Sequence, residues 1–197
     1  MAYIGSKPAD KVLTASDITD GIVSNAKLAQ DIISADTALG ATPADTDELL
    51  ISDAGTLKRM DYSYIKSTNT PMFLASSGQA IDDATTTKLT LTEVYDTDST
   101  YATGTFTPAV AGKYHIMGQI FMNADYMNLM IYKNGADYAQ ARFNNGENSD
   151  NVLQISLIDD ANTTDYYELY VYQASGGSGT TESSGRRTYF GGFKIIT

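Results

Sequence analysis

Tyr166-Tyr167-Glu168-Leu169-Tyr170-Val171-Tyr172 is the stretch whose reading decides the fold. Successive side chains of a β-strand point to opposite faces, so a period of two sorts them. One face takes Tyr167, Leu169 and Val171; the other takes Tyr166, Glu168, Tyr170 and Tyr172. The first set suits an apolar core, and the tyrosine set is left for solvent or for another subunit. A slip of one residue would exchange the sets, so the pattern also pins the register.

Outward from this stretch, short β-prone runs alternate with clusters of Asp, Asn, Gly and Thr. The expected strands are 72–75, 88–94, 101–107, 112–123, 127–133, 136–143, 151–157, 166–173 and 188–196. Short strands at regular spacing predict a sandwich or barrel rather than a helical or α/β fold.

Composition agrees. Of 197 residues, 42% are hydrophobic, enough for a core, and only 19% are charged. There are fourteen Tyr and six Phe but no Trp, and nearly all these rings lie beyond Pro71. A tyrosine ring packs while its hydroxyl stays wet, which suits half-buried strands and contact surfaces. The net charge of −11 repels phosphate backbones and anionic lipid, so neither nucleic acid nor a membrane surface is an expected partner. With no Cys, disulfides and thiolate metal sites are excluded. No apolar run approaches the about 18 residues that span a bilayer, and MAYIGSKPADKV has no apolar segment of signal-peptide type.

The first part of the chain reads differently. Residues 1–23 look like an extension that orders on docking. A helix is expected over 24–39, where Leu28, Ile32, Ala35 and Leu39 recur at 4-3-4 spacing and form one stripe. That stripe is too short for a stable isolated coiled coil, so it needs a partner helix or copies of itself. A hairpin follows, with strands at 48–52 and 57–60 around Asp53-Ala54-Gly55-Thr56, and then a helical turn ending near Lys66. The expected divisions are 1–23, 24–70 as helix, hairpin and linker, and 71–197 as the β domain.

Specific residues then raise a resemblance. Gly104-Thr105-Phe106-Thr107-Pro108, followed by Ala111-Gly112-Lys113-Tyr114-His115-Ile116, resembles the Phe-x-Pro turn and Gly-x-Tyr strand of the C1q/TNF-like jelly roll. Ile131-Tyr132-Lys133-Asn134-Gly135 resembles its Lys-Asn-Gly hairpin, and DYYELYVYQASG (165–176) its late strand. Tyr189-Phe190-Gly191-Gly192-Phe193-Lys194-Ile195 resembles its closing Phe-x-Gly-Phe strand. These matches come in the family's order over most of 71–197, and the resemblance implies a ten-stranded sandwich and a compact trimer. MAYIGSKPADKV, SDITDGIVSNAKLAQDII and DELLISDAGTLKRMDYSYI resemble segments of bacteriophage tail-fibre and appendage proteins. The chain lacks the Gly-x-y stretch of animal C1q proteins.

Candidates for chemistry are few. His115, the only histidine, is read first as a strand residue, since one ring makes no metal site. The sharper reading gathers three copies on a threefold axis around a metal or anion. Asp96-Thr97-Asp98, Asp82-Asp83, Asp159-Asp160 and the run 144–150 offer oxygens of the kind Ca²⁺ takes, but none has EF-hand spacing, so solvated turns are the plainer reading. Asn144, Asn145, Glu147 and Asp150 are the best of these for contact with an ion or receptor. In the loop 175–187, four glycines predict flexibility, and Arg186-Arg187 is read either as a receptor contact or as a local salt bridge. Tyr166 and Tyr170 join the Leu28–Leu39 stripe as candidate assembly residues. No Walker loop, dinucleotide fingerprint, G-x-S-x-G elbow or H-E-x-x-H occurs, and no catalytic residue is assigned.

The expectation is a structural protein of a phage particle, without cofactor: a short homotrimeric fibre that docks through its N-terminus on other virion proteins. Its β domain would bind a host-surface glycan or protein. The alternatives are a capsid decoration or head-fibre protein that recognises no receptor and, least favoured, a glycan-processing fibre enzyme.

Overall fold

The computed structural model describes residues 14–19, 37–66 and 68–195. The chain divides into two compact units, 1–66 and 67–197. In the first unit, β1 (Glu48–Asp53) and β2 (Thr56–Asp61) form an antiparallel hairpin, Glu48 opposite Asp61. Its turn is Ala54-Gly55, at φ 49° and 85°. Two consecutive positive φ values make the tight turn that matches strand twist, and glycine at the second position relieves the strain. Arg59 pairs with Glu48 across the hairpin at 2.7 Å, and a 3₁₀ turn follows at Tyr62–Tyr64. Leu50, Leu57 and Tyr64 are exposed.

The expected helix at 24–39 falls largely outside the described residues, and with it Leu28, Ile32 and Ala35. Its last residues are described: 37–40 are not helical, and Leu39 is exposed. Gly40 and Pro43 close by favour irregular backbone there.

The second unit is a two-layer β-sandwich. Its strands are β3 (Met72–Ala75), β4 (Ala80–Ile81), β5 (Thr85–Lys88), β6 (Glu93–Asp96), β7 (Tyr101–Ala102), β8 (Thr105–Phe106), β9 (Gly112–Lys133), β10 (Ala136–Ala161), β11 (Tyr167–Gln173), β12 (Gly179–Thr180) and β13 (Tyr189–Lys194). One layer runs β6-β3-β13, then the first half of β9 and the second half of β10. The other runs from the first half of β10 through the second half of β9 to β11, which also pairs with β5 and β8.

The sequence predicts breaks near 124–126 and 144–150, yet β9 and β10 each continue through them. Tyr114, Ile116, Ile120, Met122 and Ala124 are buried, and then the phase flips to Met127, Leu129 and Ile131. At the same place Tyr126 pairs with Asn144 and Ala124 with Ser149, so residues 145–148 oppose a single residue of β9. Such a bulge bends both strands, and each serves both layers. The run 144–150 is therefore a bulge in a ladder rather than a free loop.

Other differences are local. The expected strand 101–107 is a tight hairpin of β7 and β8, because Thr103-Gly104 takes φ of 51° and 77°. The expected strand 88–94 splits into β5 and β6, with Leu89 and Leu91 buried between them. The glycine-rich loop 175–187 is pinned: β12 pairs with β4, and the buried Thr181 hydroxyl accepts from Gln79 N at 3.0 Å.

Between the layers lie stacked rings. Phe73 stacks on Phe106 at 4.4 Å and on Tyr101 at 4.9 Å, with Phe190 edge-on at 4.9 Å. Each such pair adds about 0.5–1.5 kcal/mol beyond its burial. Tyr167, Leu169 and Val171 are fully buried, as the alternation requires. Among the described residues, no helix is long and apolar enough to cross a membrane.

Candidate functional site

The outward side of the first layer is the most unusual surface of the sandwich. Register places Ile158, His115, Phe193 and Met72 in one row across β10, β9, β13 and β3. The next row is Ser156, Met117, Gly191, Leu74 and Tyr95. Then come Gln154, Gln119 and Tyr189, and beyond them Val152 and Phe121. Ile158 and Val152 are 66% and 51% exposed, and Tyr95 is exposed at the other edge. A hydrogen in place of a side chain at Gly191 lets Leu74 and Met117 close over the middle, each 3.2 Å from where a Cβ would stand. A shallow apolar pocket remains between Leu74, Met117, Arg186 and Tyr189. Large apolar side chains exposed together on one sheet face often mark a surface that meets something.

None of the residues in these rows is acidic, on a chain of net charge −11. The two glutamines among them are engaged within the face: Gln119 donates to the Arg187 carbonyl at 2.8 Å, and Gln154 donates to the Tyr189 hydroxyl at 3.3 Å. The guanidinium of Arg187 lies 4.7 Å from the Phe121 ring and also pairs with Glu182 at 2.9 Å. His115 packs its ring edge-to-face with Phe193 at 5.3 Å.

The strongest electrostatics lie elsewhere, at one end of the core. Lys133 Nζ sits 2.6 Å from Asp159 and 3.1 Å from Asp165. Asp165 also accepts from Asn134 at 2.8 Å and from Asn162 N at 2.9 Å. These bonds, the Asn134 one foremost, hold its carboxyl down at about 2. Asp159 accepts from Tyr167 at 2.6 Å and Tyr138 at 2.9 Å. Burial would raise its pKa, but the bonds from Lys133, Tyr167 and Tyr138 outweigh that and lower it. Burial, with that same bond, pushes the Tyr167 hydroxyl far up. Every charge here is answered by a neighbour, so the cluster ties the 133–135 turn to the 162–165 turn and presents nothing reactive.

The residues expected to contact an ion or receptor are dispersed. Asp96 spends its oxygens on its own turn, accepting from Tyr101 N at 2.6 Å, Thr100 at 3.0 Å and Asp98 N at 3.2 Å. Asp98 accepts from Thr97 at 2.9 Å. Among the described residues no group of three or more His, Cys, Asp and Glu gathers as a metal would need. In the bulge, Asn145 accepts from Glu147 N at 3.0 Å, and Asp150 accepts from Asn123 at 3.3 Å. Arg186 has φ of 58° and borders the apolar face beside Tyr189.

The outward side of the second layer is polar and tyrosine-rich. Tyr170 stacks on Tyr132 at 4.1 Å, and beside them Lys88 Nζ meets Glu168 at 2.6 Å. Tyr166, just ahead of β11, donates its backbone N–H to Asn134 at 3.0 Å. Register sets Asn144 beside Tyr126, and Arg142, Asn128, Tyr172 and Thr86 in one row. Tyr170 thus lies on a face crossed by ion pairs, opposite the apolar rows.

The apolar rows escaped sequence reading because they assemble across five strands. One local signal existed: Val152-Leu153 and Leu157-Ile158 place apolar residues on both faces of one strand.

No family model matches the sequence, and no curated protein matches it. Solved structures do match the fold. The crystal structure of murine APRIL at pH 5.0 aligns with a TM-score of 0.52 at 11% identity, covering 63% of this chain and 98% of that one. The globular domain of the zebrafish complement 1qA protein aligns with a TM-score of 0.51 at 15% identity, covering 64% of this chain and 97% of that one. The sandwich of this chain is a C1q/TNF-like jelly roll.

Proposed function

We propose that this chain is a bacteriophage structural protein, a short homotrimeric fibre or appendage whose jelly-roll domain binds a ligand on the host surface. The observation that carries the reading is a sheet face whose rows leave Ile158, Val152 and Tyr95 exposed and contain no acidic residue, on a chain of net charge −11. Copies so acidic repel one another, and the face that meets must be one without acids. Three sandwiches packed through these rows would cover Ile158, Met117, Phe193 and Tyr189 and leave the tyrosine face outward.

The N-terminal segments that resemble phage appendage proteins supply the docking end. The β1–β2 hairpin supports that role, since Leu50 and Leu57 are exposed and a lone hairpin is marginal in water. Function is then assembly and binding rather than catalysis, and the protein resides in the virion.

Immunogold electron microscopy of the infecting particle tests the placement: label at a fibre or appendage is expected, and unlabelled particles would contradict it. Sedimentation of the purified protein on cell-envelope fragments of the infected bacterium tests the host contact. Co-sedimentation is expected; protein left wholly in the supernatant would contradict the receptor half of the reading.

A further inference from the structure

Where β9 and β10 bend, the polar face of the second layer opens into a groove of about 590 Å³, bordered by Thr86, Asp125, Tyr126, Asn128, Asn144 and Tyr172. The rings of Tyr126 and Tyr172 meet edge-to-face at 5.8 Å. Asn128 is only 8% exposed. Its amide nitrogen donates to Gln140 Oε1 at 3.1 Å, and that oxygen also accepts from Arg142 at 3.3 Å. The amide is thereby oriented, and its oxygen is left over. Asn128 Oδ1 and Asp125 Oδ1 are buried without a hydrogen-bond partner among the described residues.

Buried acceptors without partners cost stability, and two in one groove point to a donor that arrives from outside. The groove therefore asks for a ligand with clustered hydroxyl or amide donors and a flat apolar face for a tyrosine ring. A pyranose ring has both. The Asp125 carboxylate and the chain's net charge of −11 disfavour phosphates and uronates. We propose that this groove binds a neutral saccharide, whose hydroxyl groups meet Asp125 and Asn128 once a small turn of each side chain brings its Oδ1 to the groove wall, while a ring face packs on Tyr126 or Tyr172.

The inference rests on the host-surface reading above and names the class of ligand. Its test is calorimetric titration of the full chain with a panel of neutral tetrasaccharides of glucose, mannose and N-acetylglucosamine. A tetragalacturonate and an uncharged decapeptide serve as contrasts. At least one neutral tetrasaccharide should bind. Asn128→Leu and Tyr172→Ala should each weaken it by about tenfold or more, with a cooperative melt retained and an unchanged sedimentation mass. Asp125→Asn, which keeps the shape, should also weaken binding and guards against misfolding of the other two. No binding across the neutral panel, preference for the uronate or the peptide, or equal binding by all three variants would overturn the proposal. Envelope co-sedimentation separates the two readings. If wild type and all three variants co-sediment equally, the groove fails and host attachment stands. If wild type binds a tetrasaccharide yet not the envelope, the groove stands and host attachment fails.

Discussion

Gly118 faces the core, and a Cβ there would stand 2.6 Å from Leu169 Cδ1 of the opposite layer. Leu169 is fully buried. Gly118→Ala should therefore cost about 1–3 kcal/mol by overpacking, read as a lowered midpoint in urea with unchanged slope. Lys133 is the residue on which Asp159 and Asp165 depend. Lys133→Met leaves the buried Asp165 and the half-buried Asp159 without their cation, so thermal or urea denaturation should show a loss of about 1.5–3 kcal/mol. Asp165 sets a pH dependence of defined sign. Its folded pKa, about 2, lies below the about 3.9 of an unfolded Asp. Its ionised form thus stabilises the fold above about pH 4, and that contribution fades as pH falls towards about 2. The difference in melting temperature between wild type and Asp165→Asn should be full at neutral pH and should shrink over that window.

At the scale of elements, the bends of β9 and β10 organise the sandwich, because they carry two strands from one layer to the other. Residues 145–148 absorb the mismatch. Those four residues have no partner in β9, and lengthening an unpaired stretch costs only about 0.6 kcal/mol per doubling, so four Gly/Ser residues inserted after Gly146 should shift the melting temperature by no more than about 3 °C. Strand positions were legible wherever one side is core, as at Tyr167, Leu169 and Val171. The bend was half legible: Tyr114 to Ala124 and Met127 to Ile131 each alternate, but the change of phase between them reads equally well as a turn. The groove was illegible for a related reason. Asp125, Asn128 and Tyr172 become neighbours only through the register of β9 with β11. The sequence leaves Arg187 open between a receptor contact and a local salt bridge, and it pairs with Glu182 at 2.9 Å in a loop pinned by Thr181.

For the whole molecule, the proposal turns on opposite faces of one sandwich, an apolar-rich face proposed to gather copies and a tyrosine face proposed to stay outward. With each chain carrying −11, assembly works against long-range repulsion, which salt screens over about 10 Å at 0.1 M. Raising the ionic strength should therefore tighten the assembly rather than loosen it, measurable as less dissociation on dilution. Val152 and Ile158 stand at the edge of the apolar face and are both exposed in the single chain. Lysine at either position would bury an unpaired charge between copies while leaving the core untouched. The most direct test is sedimentation equilibrium at micromolar concentration on wild type and on the Val152→Lys, Ile158→Lys double variant. The account predicts three times the 21.2 kDa of one chain for wild type and a single folded chain for the variant. A stable wild-type monomer, or a variant that still sediments as three chains, would contradict it.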